Sequence, residues 1–385
     1  MRSLDIGKVV AAVRDVVGQE GVVALHEPQF SGNEKSYLTD CIESTFVSTV
    51  GVYVSKFEMM LQQVTGSKHA IACVNGTAAL QVALQIAGVR SSDEVIMPAL
   101  TFVATANSAS FIGAVPHFVD SERKTLGIGS KALSERLAAI GERANGSVRN
   151  RETGARIAAI IPMHTFGHPV DVEGIESVAA DWRIPVVEDA TEALGSLYHN
   201  RHVGTFGLLS ALSFNGNKII TTGGGGAILT DDDELAARAK HLTTTAKAPH
   251  RWAFIHDEVG YNFRLPNINA ALGCAQLEQL DRFIEQKRRL AERYRRAFET
   301  VAGVAVFVEQ AGARSNYWLN TLIVEDPERR DELLAALNND GLMARPVWTL
   351  MHRLPMYHDC PRGPLDVAED LERRIVNLPS SAKFA

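Results

Sequence analysis

Lys218 has the most unusual chemical setting in this 385-residue chain. It closes Ser213-Phe214-Asn215-Gly216-Asn217-Lys218, which follows an apolar run, and Thr221-Thr222 and the glycines 223–226 come after it. Lysine is normally a solvated surface residue. At a strand end, beside glycines, its amine is placed to form a Schiff base with a carbonyl ligand. A nucleotide phosphate loop is disfavoured, because Lys218 precedes the glycines and the G-x-x-x-x-G-K-[ST] order is absent. Asp189 closes a second apolar run, Val186-Val187-Glu188-Asp189-Ala190. A carboxylate there can accept a hydrogen bond from a protonated ring nitrogen, although capping the next helix is an equally ordinary use. Asn75-Gly76-Thr77-Ala78 stands between a strand pattern and a helix pattern. Glycine lets backbone approach a ligand closely, and the free N–H groups of a helix start hold an anion, although an ordinary capped turn reads the same. One ligand suits all three features, a phosphorylated aromatic aldehyde, which is pyridoxal 5'-phosphate. Asp189 and Lys218 lie 218 − 189 = 29 residues apart, on different strand ends that can face one cofactor.

The elements that must position these residues are legible from residue 70 onward. Short apolar runs at Ala70–Val74, Glu94–Met97, Val115–Val119, Arg156–Ile161, Ile184–Glu188, Ala211–Phe214 and Ala227–Thr230 read as strands. Helical spacing appears between several of them: Leu80, Ala83, Leu84 and Ala87 stopping at Gly88, then Val103–Phe111, Val172–Trp182 and Glu234–His241. Such alternation predicts an α/β domain with a mainly parallel sheet, and ligands bind beyond the carboxyl ends of those strands. Polar, non-periodic Gly141–Gly154 reads as a surface loop. Ala270–Phe298 reads as one long helix. Strand patterns at Val304–Val308 and Trp318–Val324 follow it, with helices near Glu332–Leu337 and Val367–Val376. The expected organisation is a large domain over 1–268, including an amphipathic N-terminal helix around Val9–Val17. A connecting helix and a smaller α+β domain occupy 269–385.

Composition narrows the function class. With 46% apolar and 22% charged residues, the chain is an ordinary globular protein and not a disordered or fibrous one. Its net charge of −6 offers no basic field for nucleic acid or an anionic membrane surface. No run approaches the ~18 apolar residues of a membrane span, and the N-terminal stretch lacks a signal-peptide cleavage pattern. Cysteines at 41, 73, 274 and 360 form no C-x-x-C, so reduced thiols in a cytoplasmic protein are expected.

Five ordered motifs carry a resemblance that runs from about Gln29 to Ser381. They are Asn75–Leu80, Thr101–Asn107, Glu188-Asp189-Ala190, Ser213–Lys218 and Gly260-Tyr261-Asn262-Phe263-Arg264-Leu265. Together they resemble the sugar-aminotransferase family of fold-type I pyridoxal-phosphate enzymes. Within it, Ser213–Lys218 with Ile219–Thr222 is most similar to nucleotide-sugar 4-aminotransferases of bacillosamine- and legionaminic-acid-type pathways.

The resemblance implies residue roles. Lys218 holds the cofactor and shuttles the proton, while Asp189 keeps the pyridine nitrogen protonated. Gly76, Thr77 and Ser213 hold the phosphate, and Phe102 stacks on the ring, where plain core packing is the alternative. Glu192 sits beside the ring oxygen, where many relatives carry Gln or His. Asn262 reaches the phosphate from a neighbouring subunit, which implies a homodimer. His164, in Pro162–Gly167, falls in a family motif near the cofactor, with a buried structural histidine as the preferred reading, and Arg345 is either a substrate ligand or, more commonly, a surface ion-pair residue. The implied reaction moves the amino group of L-glutamate to the C4 ketone of a UDP- or GDP-linked 4-keto-6-deoxy-N-acetylhexosamine, for bacterial surface amino sugars. A sugar 3-aminotransferase and a sugar dehydratase on the same fold are the rival readings. Dehydratase relatives typically replace the lysine by histidine, so Lys218 argues against that one. A non-enzymatic binding module is weaker still, since Asp189 and Lys218 are both present.

Overall fold

The computed structural model describes residues 4–144 and 146–384. Helices α1 (Ile6–Val17), α2 (Glu34–Glu43) and α3 (Val52–Thr65) precede the first strand. The chain then alternates β1 (His69–Cys73), α4 (Gly76–Ile86), β2 (Glu94–Pro98), α5 (Val103–Ser110), β3 (Val115–Val119) and α6 (Ser130–Ile140). Two short strands, β4 (Gly141–Ala144) and β5 (Ser147–Asn150), lead to β6 (Arg156–Ile160), α7 (Val172–Trp182) and β7 (Val187–Asp189). The two-residue strands β8 (Leu197–Tyr198) and β9 (Arg201–His202) come next, then β10 (Leu209–Ser213), β11 (Gly226–Thr230) and α8 (Asp233–Thr243).

Parallel bridges Ile160↔Val186 and Met163↔Asp189 join two hydrogen-bonded sheets. The resulting strand order is β1-β11-β10-β7-β6-β2-β3, in which β11 alone runs antiparallel to its neighbours. The fold is therefore the expected α/β class with a mainly parallel sheet. Its strands are buried almost throughout because helices cover both faces. Alternation within β2 shows this directly: Ile96 joins the core of Phe57, Leu61 and Phe214, whereas Val95 and Met97 join the core of Leu80, Leu84 and Leu242.

Three expectations are corrected. Gly141–Gly154 is not a surface loop: β4 and β5 form an antiparallel hairpin that extends the sheet from the first residues of β6. Glu142 and Arg143 face solvent, and the only fully apolar side chain buried in the pair is Val148, so the segment carries no apolar period. Ala270–Phe298 is two helices, α9 (Asn267–Leu277) and α10 (Leu280–Phe298), broken at Glu278 and Gln279. Val367–Val376 is divided between a short helix and a strand.

Beyond α10 come β12 (Val304–Val306), β13 (Ala313–Arg314), β14 (Asn320–Val324), α11 (Arg330–Asn339), β15 (Arg345–Pro346), α12 (Asp366–Glu372) and β16 (Ile375–Leu378). Strands β12-β14-β16-β15 make an antiparallel sheet, while β13 pairs with β8. One face of that sheet packs with α10 and α11, through Leu290, Tyr294, Leu322, Leu333 and Val376. The stripe Val9, Val13 and Val16 of α1 belongs to the same cluster, so the N-terminal helix packs on C-terminal elements.

Candidate active site

The carboxyl ends of β1, β7 and β10 converge on one cavity of about 330 Å³. Gly76, Thr77, Phe102, Asp189, Glu192, Ser213 and Lys218 all line it. Each arrives by a local device. Asn75 caps α4, its side-chain oxygen accepting from the Ala78 N–H at 2.7 Å. The N–H groups of Gly76 and Thr77, which open the helix, then have no intrahelical acceptor and present a partial positive charge. A side chain at Gly76 would put its Cβ 2.8 Å from Ser213 Cβ, and one at Gly226 would lie 2.6 Å from the Gly76 nitrogen. Both glycines are needed for this close approach.

Asp189 is buried and held by three donors. Thr105 Oγ1 donates to Oδ2 at 2.7 Å; Thr191 donates to Oδ1 through its hydroxyl at 2.7 Å and its N–H at 3.2 Å. Lys218 Nζ lies 3.3 Å from Glu192 Oε1 and 4.1 Å from the centre of the Trp318 ring. The Trp318 indole is pinned to the same loop, Nε1 donating to the Asn217 carbonyl at 2.6 Å. Glu192 Oε2 accepts from the Phe166 N–H at 2.9 Å. Burial drives the Glu192 carboxyl up to about 7, against the opposing pull of the Lys218 charge.

Phe102 is 46% exposed, with its ring 5.9 Å from Trp348, so it is a wall of the cavity and not core packing. His164 is a buried support residue. Its Nδ1 accepts from the Val170 N–H at 3.3 Å, and its Nε2 lies 3.0 Å from Glu188 Oε2. Glu188 also accepts from the N–H groups of Gly204, Phe206 and Gly207. Burial pushes the Glu188 carboxyl up, but the His164 hydrogen bond and charge with those N–H groups outweigh it and hold it below the ordinary value.

Asn262 stands apart from the cavity. It is exposed, and its Oδ1 accepts from Arg264 Nε and Nη2. Arg345 lines a second cavity of about 460 Å³, which shares Asn217, Trp318 and Trp348 with the first. Among the described residues no carboxylate lines that cavity, and the Arg345 guanidinium donates through Nη1, to Asn338 Oδ1 and the Ala344 carbonyl. Thr105, Thr191, Trp318 and Trp348 escape sequence reasoning. Only Thr191 carries a local signal, since a Thr two residues after an Asp can close a side-chain turn on it.

Comparison with known proteins decides what this cavity serves. Residues 28–385 match the DegT/DnrJ/EryC1/StrS aminotransferase family. The chain belongs to that family. It is 37% identical over 359 residues to the GDP-perosamine synthase of Escherichia coli O157:H7, covering 93% of each chain. To the GDP-perosamine synthase of Vibrio cholerae it is 33% identical over 364 residues, covering 93% of this chain and 94% of the other. Among solved structures, PseC of Helicobacter pylori, an aminotransferase involved in the biosynthesis of pseudoaminic acid, superposes with a TM-score of 0.85. It is 26% identical, with 94% of each chain covered.

As a family member the chain is a fold-type I transaminase that uses pyridoxal 5'-phosphate. The cavity fits that cofactor: a glycine-walled helix start and a serine hydroxyl for its phosphate, a hydrogen-bonded carboxylate, and a lysine amine. Bound there, it supplies an aldehyde and an electron-withdrawing ring through which an amino group is passed on. No described helix is long and apolar enough to cross a membrane.

Proposed function

We propose that this chain transfers the amino group of L-glutamate to the C4 ketone of a nucleoside-diphosphate-linked 4-keto-6-deoxyhexose. The observation that carries the reading is the joined pair of cavities. The first brings Lys218, Asp189 and the start of α4 together, and the second opens past Trp318 and Trp348 toward Arg345 with no acid on its walls. The relatives named for GDP-perosamine put GDP first among the nucleotides. UDP sugars bearing an acetamido group come second.

In this reading Lys218 would hold the cofactor through its aldehyde and serve as the base that moves the substrate proton. Asp189, oriented by Thr105 and Thr191, would hold a protonated ring nitrogen. The Gly76 and Thr77 N–H groups with the Ser213 hydroxyl would hold the phosphate, and Phe102 would pack on the ring. Glu192, in contact with Lys218, would serve the ring oxygen. The second cavity takes the hexose, with Arg345 toward the diphosphate. Which carbon is aminated is then an outcome of positioning, since the ketone carbon must come within ~3–3.5 Å of the amine while other contacts hold the rest of the sugar.

Asn262 serves a second subunit. The segment that carries it is the most exposed apolar stretch among the described residues, with Trp252 at 73%, Phe254 at 80% and Val259 at 85% exposure. A homodimer that covers these side chains also brings Asn262 to the neighbouring phosphate site. Reduced thiols and the biosynthetic substrate suit the cytoplasm.

The test is incubation with L-glutamate labelled with ¹⁵N and a panel of GDP- and UDP-linked 3-keto and 4-keto sugars. The expected product is a nucleotide sugar with ¹⁵N at C4, identified by mass spectrometry and NMR. Nitrogen at C3 would overturn the regiochemistry, and a deoxygenated product without nitrogen would favour the dehydratase reading.

A further inference from the structure

Lys218 as an ammonium has no lone pair, and among the described residues its amine makes one hydrogen bond, to Glu192. Glu192 Oε1 is 3.3 Å from Nζ, the indole of Trp318 covers the amine at 4.1 Å, and Glu192 is 3% exposed. The charged or titratable groups that face Glu192 are Lys218 and Asp189. Among backbone groups the Phe166 N–H holds its other oxygen. Lys218 makes its hydrogen bond to Glu192, while the oxygens of Asp189 take Thr105 and Thr191. The position beside the lysine thus holds a carboxylate in direct contact with the reacting nitrogen and with spare capacity on Oε1.

We propose that Glu192 is a catalytic proton carrier that takes the proton Lys218 must lose before its nitrogen bonds to the cofactor aldehyde, and returns it afterwards. The transfer balances within the pair: ammonium and carboxylate become amine and carboxylic acid. The freed lone pair then forms the bond to the aldehyde carbon, and the carbonyl oxygen leaves as water. No net charge enters or leaves the buried site in the first step. Proton affinity near neutrality, which burial gives Glu192 while Lys218 opposes it, lets the exchange run in both directions. The inference rests on Lys218 being the cofactor lysine.

Two roles for Glu192 make opposite forecasts. If it only stabilises the ammonium by charge, Glu192→Gln frees the amine, and the cofactor-free protein captures pyridoxal phosphate faster and at lower pH. If it carries the proton, Glu192→Gln keeps the side-chain volume and an acceptor for Phe166 yet has no basic oxygen. Capture followed by stopped-flow absorbance should then slow by ~10²-fold or more on the alkaline plateau, in the usual range for a lost general base. The wild-type rise in rate centred near pH 7 should also vanish. Faster capture, or an unchanged profile, overturns the proposal.

Borohydride reduction and peptide mapping on both proteins separates the layers. Label on another lysine defeats the Lys218 reading itself. Label on Lys218 with accelerated capture defeats only the role of Glu192. A second measurement does not need the Gln variant to fold: ¹³C-detected titration of glutamate carboxyls in the wild type and in Lys218→Ala. A resonance titrating near pH 7 that moves to higher pH in Lys218→Ala supports the carrier. No glutamate titrating above the ordinary range in either protein overturns it.

Discussion

The cavity around Lys218 and the exposed segment around Asn262 are built on contrasting principles. In the cavity, buried polar groups find partners within the chain: Asp189 has three donors, Glu188 has His164 and three N–H groups, and Lys218 has Glu192. Around Asn262, large apolar side chains meet solvent, and the asparagine is occupied by a residue two positions away. One region satisfies its buried polar groups internally and the other leaves apolar side chains in solvent. On the proposed homodimer reading, a site that takes one ligand from each region is finished only by association.

The largest expected effect is at the centre of the cavity. Lys218→Ala should lower turnover by ~10⁴-fold or more, because one side chain supplies both the bond-forming amine and the base that moves the substrate proton. Transamination assays check this, with cofactor binding followed by mass spectrometry after reduction. Residual label on Lys240 or Lys247 would move the reactive amine elsewhere.

Support beneath the cavity is next. Glu188→Gln keeps the shape but removes the buried charge facing His164 and three N–H groups, and about 3 kcal/mol of stability should go with it at pH 7. Glu188 lies below its ordinary value when folded, so its contribution is present above the unfolded pKa of ~4.3. That contribution fades as pH falls through the folded value. Denaturant melts should show the wild type losing stability in acid more steeply than the variant, and equal slopes would remove Glu188 from the account.

A smaller change is expected at the rim between cavities. Arg345→Gln should raise KM for the nucleotide sugar by ~10–100-fold, as for a lost hydrogen bond to a charged group, while KM for glutamate holds. Equal changes for both substrates would break the assignment of the second cavity.

The last experiment crosses the two regions. Mixing Lys218→Ala with Asn262→Ala, both inactive alone, should restore about a quarter of wild-type activity. Half of randomly exchanged dimers of a two-fold assembly are mixed, and each carries one complete site of two. No recovery with verified subunit exchange would make the Asn262 region as self-sufficient as the cavity.

Legibility in the sequence follows the same division. The predicted bounds of Val115–Val119 and Val172–Trp182 coincide with those of β3 and α7, since buried strands and amphipathic helices leave a strong apolar period. The strand-end rule brought Gly76, Asp189, Ser213 and Lys218 to one place without any knowledge of the packing between them. The hairpin of β4 and β5 was illegible because an edge pair with charged residues outward has almost no apolar pattern. The break between α9 and α10 left no proline or glycine signal, so Glu278 and Gln279 read as helix. Trp318 and Trp348 were invisible as cavity walls, because their place depends on how the C-terminal elements lie over the sheet.

The antiparallel strand β11 has a consequence for how the site assembles in time. Ser213 pairs with Gly226 across a connection of residues 214–225 that contains Lys218, whereas Cys73 must find the same Gly226 from 226 − 73 = 153 positions away. Closing the shorter loop costs about 2 kcal/mol less in chain entropy. The loop carrying Lys218 can thus be drawn shut by neighbours in sequence, before β1 and the start of α4 are delivered from a distant part of the chain. Local contacts of this kind form fast. Lys218 is held in its turn while the walls of its cavity are still arriving.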